Sequence, residues 1–128
     1  VNALQNGIAV SAVGPLSVDG SGTATRTFRF APDFPGFDGH FPGAPILPAI
    51  VQIQVAVAVA SEHAGTPLRL AAVEAAKFLS PVRPGEEIVA SCRPAGPGDA
   101  PMHDATITAG GRAAATFLLR LVPEGGRS

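Results

Sequence analysis

His40 is the one ionisable side chain in the stretch Gly39–Ala49, GHFPGAPILPA, where it stands among three prolines and two glycines. An imidazole titrates near neutrality, so it can take a proton and give it back. Proline fixes φ and glycine admits a tight turn, so Pro42, Gly43 and Pro45 read as backbone-shaping residues that seat the ring. The other reading is a structural or surface histidine in a loop. His63 and His103 have no comparable context and read as solvated. Further on, an apolar segment carries two amides, Gln52 and Gln54. A glutamine cannot release a proton as a carboxylic acid does, but it can hold a hydroxyl or a water.

These residues need elements to position them. Residues 7–14 alternate small, apolar and polar residues, which predicts a strand. Residues 23–31 predict a second strand, with Phe28 and Phe30 on one face and Thr25, Thr27 and Arg29 on the other. Residues 32–48 form an irregular segment with five prolines, three glycines and Phe34, Phe37 and Phe41. A loop that apolar must pack on a core, a partner subunit or a ligand.

Residues 49–64, AIVQIQVAVAVASEHA, pose a conflict. The alternating Val-Ala run has the period of a strand. Pro48 suits a helix start, Gly65 suits the left-handed stop, and no turn signal interrupts the segment. The expectation is a helix, buried because it is apolar nearly all round. Strands follow over 69–79, 87–94, 103–109 and 112–122. Pro81–Gly85 turns between the first two and Gly110-Gly111 between the last two. Ala113, Ala115, Phe117, Leu119 and Leu121 should share one face of the last strand. One helix with an antiparallel sheet is an α+β layout, and the sheet should wrap the helix.

The composition agrees with one domain over residues 1–128. Hydrophobic residues make up 46% and charged residues 15%, which is a globular balance. A net charge of -1, with the basic residues scattered singly, gives no footprint for nucleic acid. The apolar run at 45–60 is too short and too polar for a membrane span. The start, VNALQNG, reads as neither a signal peptide nor an initiator segment, so it is expected to be trimmed. Cys92 has no cysteine partner in the chain, which points to a reducing, cytoplasmic setting.

The segment FDGHFPGAPILPAIVQIQ resembles the active-site segment of the hot-dog-fold 3-hydroxyacyl-ACP dehydratases, and AKFLSPVRPGEEI, residues 76–88, resembles their second hallmark. The second motif is shared with many hot-dog proteins, thioesterases included. The resemblance implies a curved antiparallel sheet around a central helix, a dimer, and a site at the dimer interface. It implies a substrate held by thioester on the phosphopantetheine arm of an acyl carrier protein, and neither metal nor cofactor. His40 matches the catalytic base.

Gln54, 14 residues on, falls where the family has the helix carboxylate contributed by the other subunit. Glu62 lies eight residues beyond Gln54, about 12 Å along a helix, too far to substitute. Asp33, Asp38 and Glu74 are the other carboxylates to place. Ala49 stands where the family usually has glycine. With Ile50 and Gly43 it is expected to bind the thioester oxygen, through N–H groups at the helix start. Phe34, Phe37 and Phe41 are candidates for the acyl tunnel, with core or dimer packing as the alternative. Gln52 is expected to meet the partner subunit, and Arg83 to touch the carrier or merely to face solvent. Three accounts follow from Gln54. The chain is a dehydratase that uses Gln54 or a water, a half-site subunit that needs a second hot-dog chain, or a thioesterase.

Overall fold

The computed structural model describes residues 3–34, 46–95 and 102–124. His40, Gly43, Phe37, Phe41 and Asp38 lie outside the described residues. The element order is α1 (Ala3–Val10), β1 (Ala12–Val18), β2 (Ala24–Arg29), α2 (Ala49–Ala64), β3 (Leu68–Phe78), β4 (Glu87–Pro94), β5 (Met102–Ala109) and β6 (Arg112–Pro123). The six strands form one antiparallel sheet in the order β1-β2-β4-β5-β6-β3. Helix α2 packs across one face of it. Neither helix is long and apolar enough to cross a membrane.

The helix wins residues 49–64 because its ends and its surroundings both demand it. Pro48 sits at the N-cap in an extended conformation, and Gly65 closes the other end at φ 74°. The Gly65 N–H returns to the carbonyls of Ser61 and Glu62, the left-handed stop that favours a glycine. Val51, Ile53, Val55, Ala56, Val57, Val59 and Ala60 are buried. A helix so apolar is stable only inside the fold, and the sheet supplies Phe28, Ile88, Ala90, Ile107, Phe117 and Leu119 to receive it.

Two expectations are corrected. Residues 7–14 are not one strand: helix α1 runs to Val10 and β1 begins at Ala12. Leu4 and Ile8, four apart, turn to the core, the helical spacing that the small alternating residues hid. Gly7 is where the Phe34 ring enters, since a Cβ there would stand 2.7 Å from a ring carbon. So α1 helps the sheet cover α2. In β6, Ala113 is exposed while Ala114 and Ala115 are buried. The β5–β6 register slips between Ile107 and Thr108, which pair with Ala115 and Ala113. Ala114 is the extra residue, and a bulge of this kind switches the face of every residue before it.

Strand β3 is an edge. It is 11 residues long, pairs with β6 alone among the described residues, and bends through two register shifts, one at Ala71 and one at Glu74. Val73, Phe78 and Leu79 are exposed along or just beyond it. A long apolar edge of this kind offers unpaired backbone groups to another strand.

Cys92 is the buried cysteine of β4, and burial pushes its thiol up to about 12, with Asp104 adding to the rise. The thiolate is the reactive form, so the folded protein is predicted to resist alkylation at pH 8 and to react fully once unfolded. Mass spectrometry after iodoacetamide treatment, with and without urea, measures this. Rapid labelling of the native chain would contradict it.

Candidate active site

The turn at Pro81–Gly85 is locked to the β5–β6 hairpin by one guanidinium. Arg112 donates to both carboxylate oxygens of Glu86 at 2.9 and 3.0 Å. It also donates to the Pro81 carbonyl at 2.7 Å and to the Ala109 carbonyl at 3.0 Å. Glu86 in turn accepts the Arg83 backbone N–H at 2.8 Å. The bonds from Arg112, then that from Arg83, hold the Glu86 carboxyl below its usual range. The Arg83 side chain itself faces solvent.

The locked turn buries Val82, whose carbonyl accepts the Leu47 N–H at 2.7 Å. Leu47 is buried as well, and its own carbonyl accepts from Gln52 Nε2 at 3.1 Å. The entrance to α2 is therefore tied on both sides of one peptide-flanked residue. At the helix start, the Val51 and Gln52 N–H groups both return to the Pro48 carbonyl at 3.1 Å. Pro48 has no N–H, and among the described residues no side chain caps the helix. The amides of Ala49 and Ile50 are thus the first donors at the positive end of α2. Ala49 opens beside a cavity of about 510 Å³ walled by Pro48, Ala49, Gln52, Phe78, Leu79 and Pro81.

Gln54 opens elsewhere. It is partly buried and lines a cavity of about 490 Å³ with Gln5, Arg26, Ser61 and Glu62, between α1, α2 and β2. It lines a neighbouring one of about 410 Å³ with Ile50. Gln52 and Gln54 are two residues apart on a helix and so point in different directions. The buried amide bonded to a backbone carbonyl is Gln52, 4% exposed, rather than Gln54. Gln52 sits inside the fold of its own chain and not on its outer surface.

The carboxylates separate cleanly. Glu62 is paired with Arg26 at 2.6 Å, and Glu74 with Arg120 at 2.9 Å. Asp33 is exposed in the loop after β2. Glu124, absent from the sequence candidates, shares both cavities with Gln54, and it enters none of the ion pairs among the described residues. No motif signals it, because it comes near through the β3–β6 pairing, where Glu124 N–H bonds the Pro67 carbonyl at 2.9 Å. Phe34 is a core residue, tilted against Phe30 with ring centres 4.6 Å apart, and lines none of these cavities.

Residues 17–103, over half of the chain, match the model of a family described as ApeI-like, the ApeI dehydratase. The chain belongs to the ApeI-like dehydratase family. Among its relatives is a 3-hydroxyacyl-[acyl-carrier-protein] dehydratase FabZ of Rhizobium leguminosarum bv. trifolii, 34% identical over 80 residues, 57% of this chain and 52% of that one. Another FabZ, of Syntrophobacter fumaroxidans, is 33% identical over 63 residues, 43% of each chain. The chain thus spans about half the length of the relatives it matches. Two solved structures share the hot-dog fold. The dehydratase heterocomplex ApeI:P of Xenorhabdus doucetiae gives a TM-score of 0.67 at 21% identity, covering 77% of this chain and 86% of that one. A Thermus thermophilus thioesterase complexed with coenzyme A and Zn gives 0.60 at 24%, covering 79% and 86%. This member of the ApeI-like family therefore has the sheet-and-helix layout that its two motifs imply.

The clamp predicts a pH signature. Glu86 is held below its unfolded value, so its contribution to stability is full above the unfolded pKa of about 4.3 and is lost as pH falls through the lower folded value. Arg112→Ala is predicted to lower the thermal midpoint at pH 7, with the gap to wild type closing towards pH 3. A gap that stays constant across this range would contradict the clamp.

Proposed function

We propose that the chain dehydrates 3-hydroxyacyl thioesters carried on the phosphopantetheine arm of an acyl carrier protein, at a site completed by a second hot-dog chain. The observation that carries this reading is the separation of the two half-sites on α2. Ala49, at the start of the helix, opens on one cavity, and Gln54 opens on two others, one of which it shares with Ile50. Ala49 and Gln54 share no cavity among the described residues, which supports a partner's residue 54 facing the helix start. The edge of β3, with Phe78 and Leu79 beside the first cavity, supplies the surface for that partner.

In the proposed reaction His40 takes the proton from carbon 2. Charge gathers on the thioester oxygen, and the N–H groups of Ala49 and Ile50, with Gly43 as a further candidate, are proposed to receive it. The C2–H electrons form the double bond, the C3–O bond breaks, and the hydroxyl leaves as water with a proton from an acid. Residue 54 of the partner faces that hydroxyl. Phe37 and Phe41 are proposed to line the acyl tunnel, while Phe34 packs in the core. A glutamine can orient the hydroxyl but not protonate it.

That chemical gap favours a second form of the same reading, in which the partner is a different hot-dog chain that brings the carboxylate. The Xenorhabdus neighbour, named as a dehydratase heterocomplex, supports this form. The chain would then work in the cytoplasm beside its carrier protein.

Incubation with 3-hydroxyacyl-ACP, following enoyl product against free acid, tests the reading. His40→Ala is predicted to cost about 100-fold or more, the usual worth of a positioned base. Gln54→Glu is predicted to raise dehydration by the chain alone about tenfold or more, because it restores the acid. Release of free acid without enoyl product would overturn the proposal in favour of thioester hydrolysis.

A further inference from the structure

We infer that Gln52 selects the thioester by accepting a hydrogen bond from a donor the ligand carries close to its thioester carbonyl. The inference rests on the reading of the α2 start as the thioester site and adds a specificity residue to it.

The orientation of the Gln52 amide follows from chemistry. The Leu47 carbonyl can only accept, so Nε2 must face it, at 3.1 Å. That leaves Oε1 buried, and no donor reaches it among the described residues. A desolvated acceptor without a donor is unfavourable, and an apolar side chain of the same length would avoid it. Holding Leu47 in place needs only the nitrogen. The oxygen is the part of Gln52 that the fold leaves without a role.

Its location supplies one. Gln52 is three residues after Ala49, on the same side of α2, and both wall the same cavity. Helical side chains lean towards the N-terminus, so the amide lies beside the free N–H groups of Ala49 and Ile50. The donor end of the helix at Ala49 and one acceptor thus stand together against the apolar wall of Phe78 and Leu79. A carboxylate or phosphate would satisfy the donors but turn another acceptor on Oε1. A 3-hydroxyacyl pantetheine thioester satisfies both. Its carbonyl takes the helix amides. Its 3-hydroxyl on the acyl side, or the first amide N–H on the arm side, can donate to Oε1.

Four probes separate these sources: the 3-hydroxybutyryl and butyryl thioesters of pantetheine, and the same two of ethanethiol, which lacks the amide. Binding is measured by NMR titration of the full chain in its assembled state, in a His40→Ala background so that nothing is consumed. Gln52→Met removes the acceptor at similar length. Because it also cuts the Nε2 tie to the Leu47 carbonyl, it is predicted to weaken all four probes by a common factor, which butyryl ethanethiol reads alone, and to weaken donor-bearing probes about tenfold beyond that, the worth of one hydrogen bond to a buried acceptor. Loss that follows the hydroxyl assigns the acyl side, and loss that follows the amide assigns the arm. Equal loss for all four probes, or no loss for any, overturns the inference while the site reading stands. If the parent binds none of the four, the site reading fails and this inference fails with it. Should Gln52→Met not fold, the Gln52 side-chain carbonyl resonance of the parent makes the same distinction. It must shift with donor-bearing probes and stay fixed with butyryl ethanethiol; a resonance that moves equally with all four, or with none, overturns the inference.

Discussion

Leu47 is held from both sides, and the rest of the site depends on that. Its N–H is tied to Val82 and its carbonyl to Gln52, while its side chain is buried. The first tie reaches back through the Pro81–Gly85 turn to the Arg112–Glu86 clamp on the β5–β6 hairpin. The second belongs to α2 itself. Together they fix where the chain enters the helix, hence where the uncapped Ala49 and Ile50 amides point. Preorganised donors of this kind act on developing charge without having to move. The two sequence motifs, about thirty residues apart, are in physical terms two ends of this one connection.

The same helix carries two incomplete half-sites. Its start offers donors and the Gln52 oxygen; its second turn offers Gln54 towards another cavity, beside Arg26, Glu62 and Glu124. Glu62 is already engaged by Arg26, so it is not free to move protons for a ligand. Under the proposed reading, such a chain gains a working centre by association. The long β3 edge, with exposed Phe78 and Leu79 next to the first cavity, shows where association would also bury apolar surface.

Much of this was legible in the residues. Pro48 and Gly65 bracket α2 as observed, over the pull of the alternating Val-Ala run, because capping signals are local and steric. The Gly110-Gly111 turn and the strands around it were equally plain. The misses came from tertiary causes. Helix α1 depends on the Phe34 ring sliding onto Gly7, a contact between segments far apart in sequence. The inward face of β6 changes at the Ala114 bulge, which no pattern within the strand reveals. The division of labour between Gln52 and Gln54 hinges on which face of a nearly uniform apolar helix meets the sheet. Arg112 and Glu86 lie 26 residues apart and carry no short-range signal at all.

Subunit mixing tests the central claim, a site shared between chains. His40→Ala and Gln54→Arg variants, each impaired alone, are unfolded together and refolded, and dehydration of 3-hydroxyacyl-ACP is followed. In a symmetric dimer each mixed pair keeps one intact site, so random mixing should restore about a quarter of wild-type activity. Activity no higher than the average of the two variants alone would contradict a site assembled from two copies of this chain.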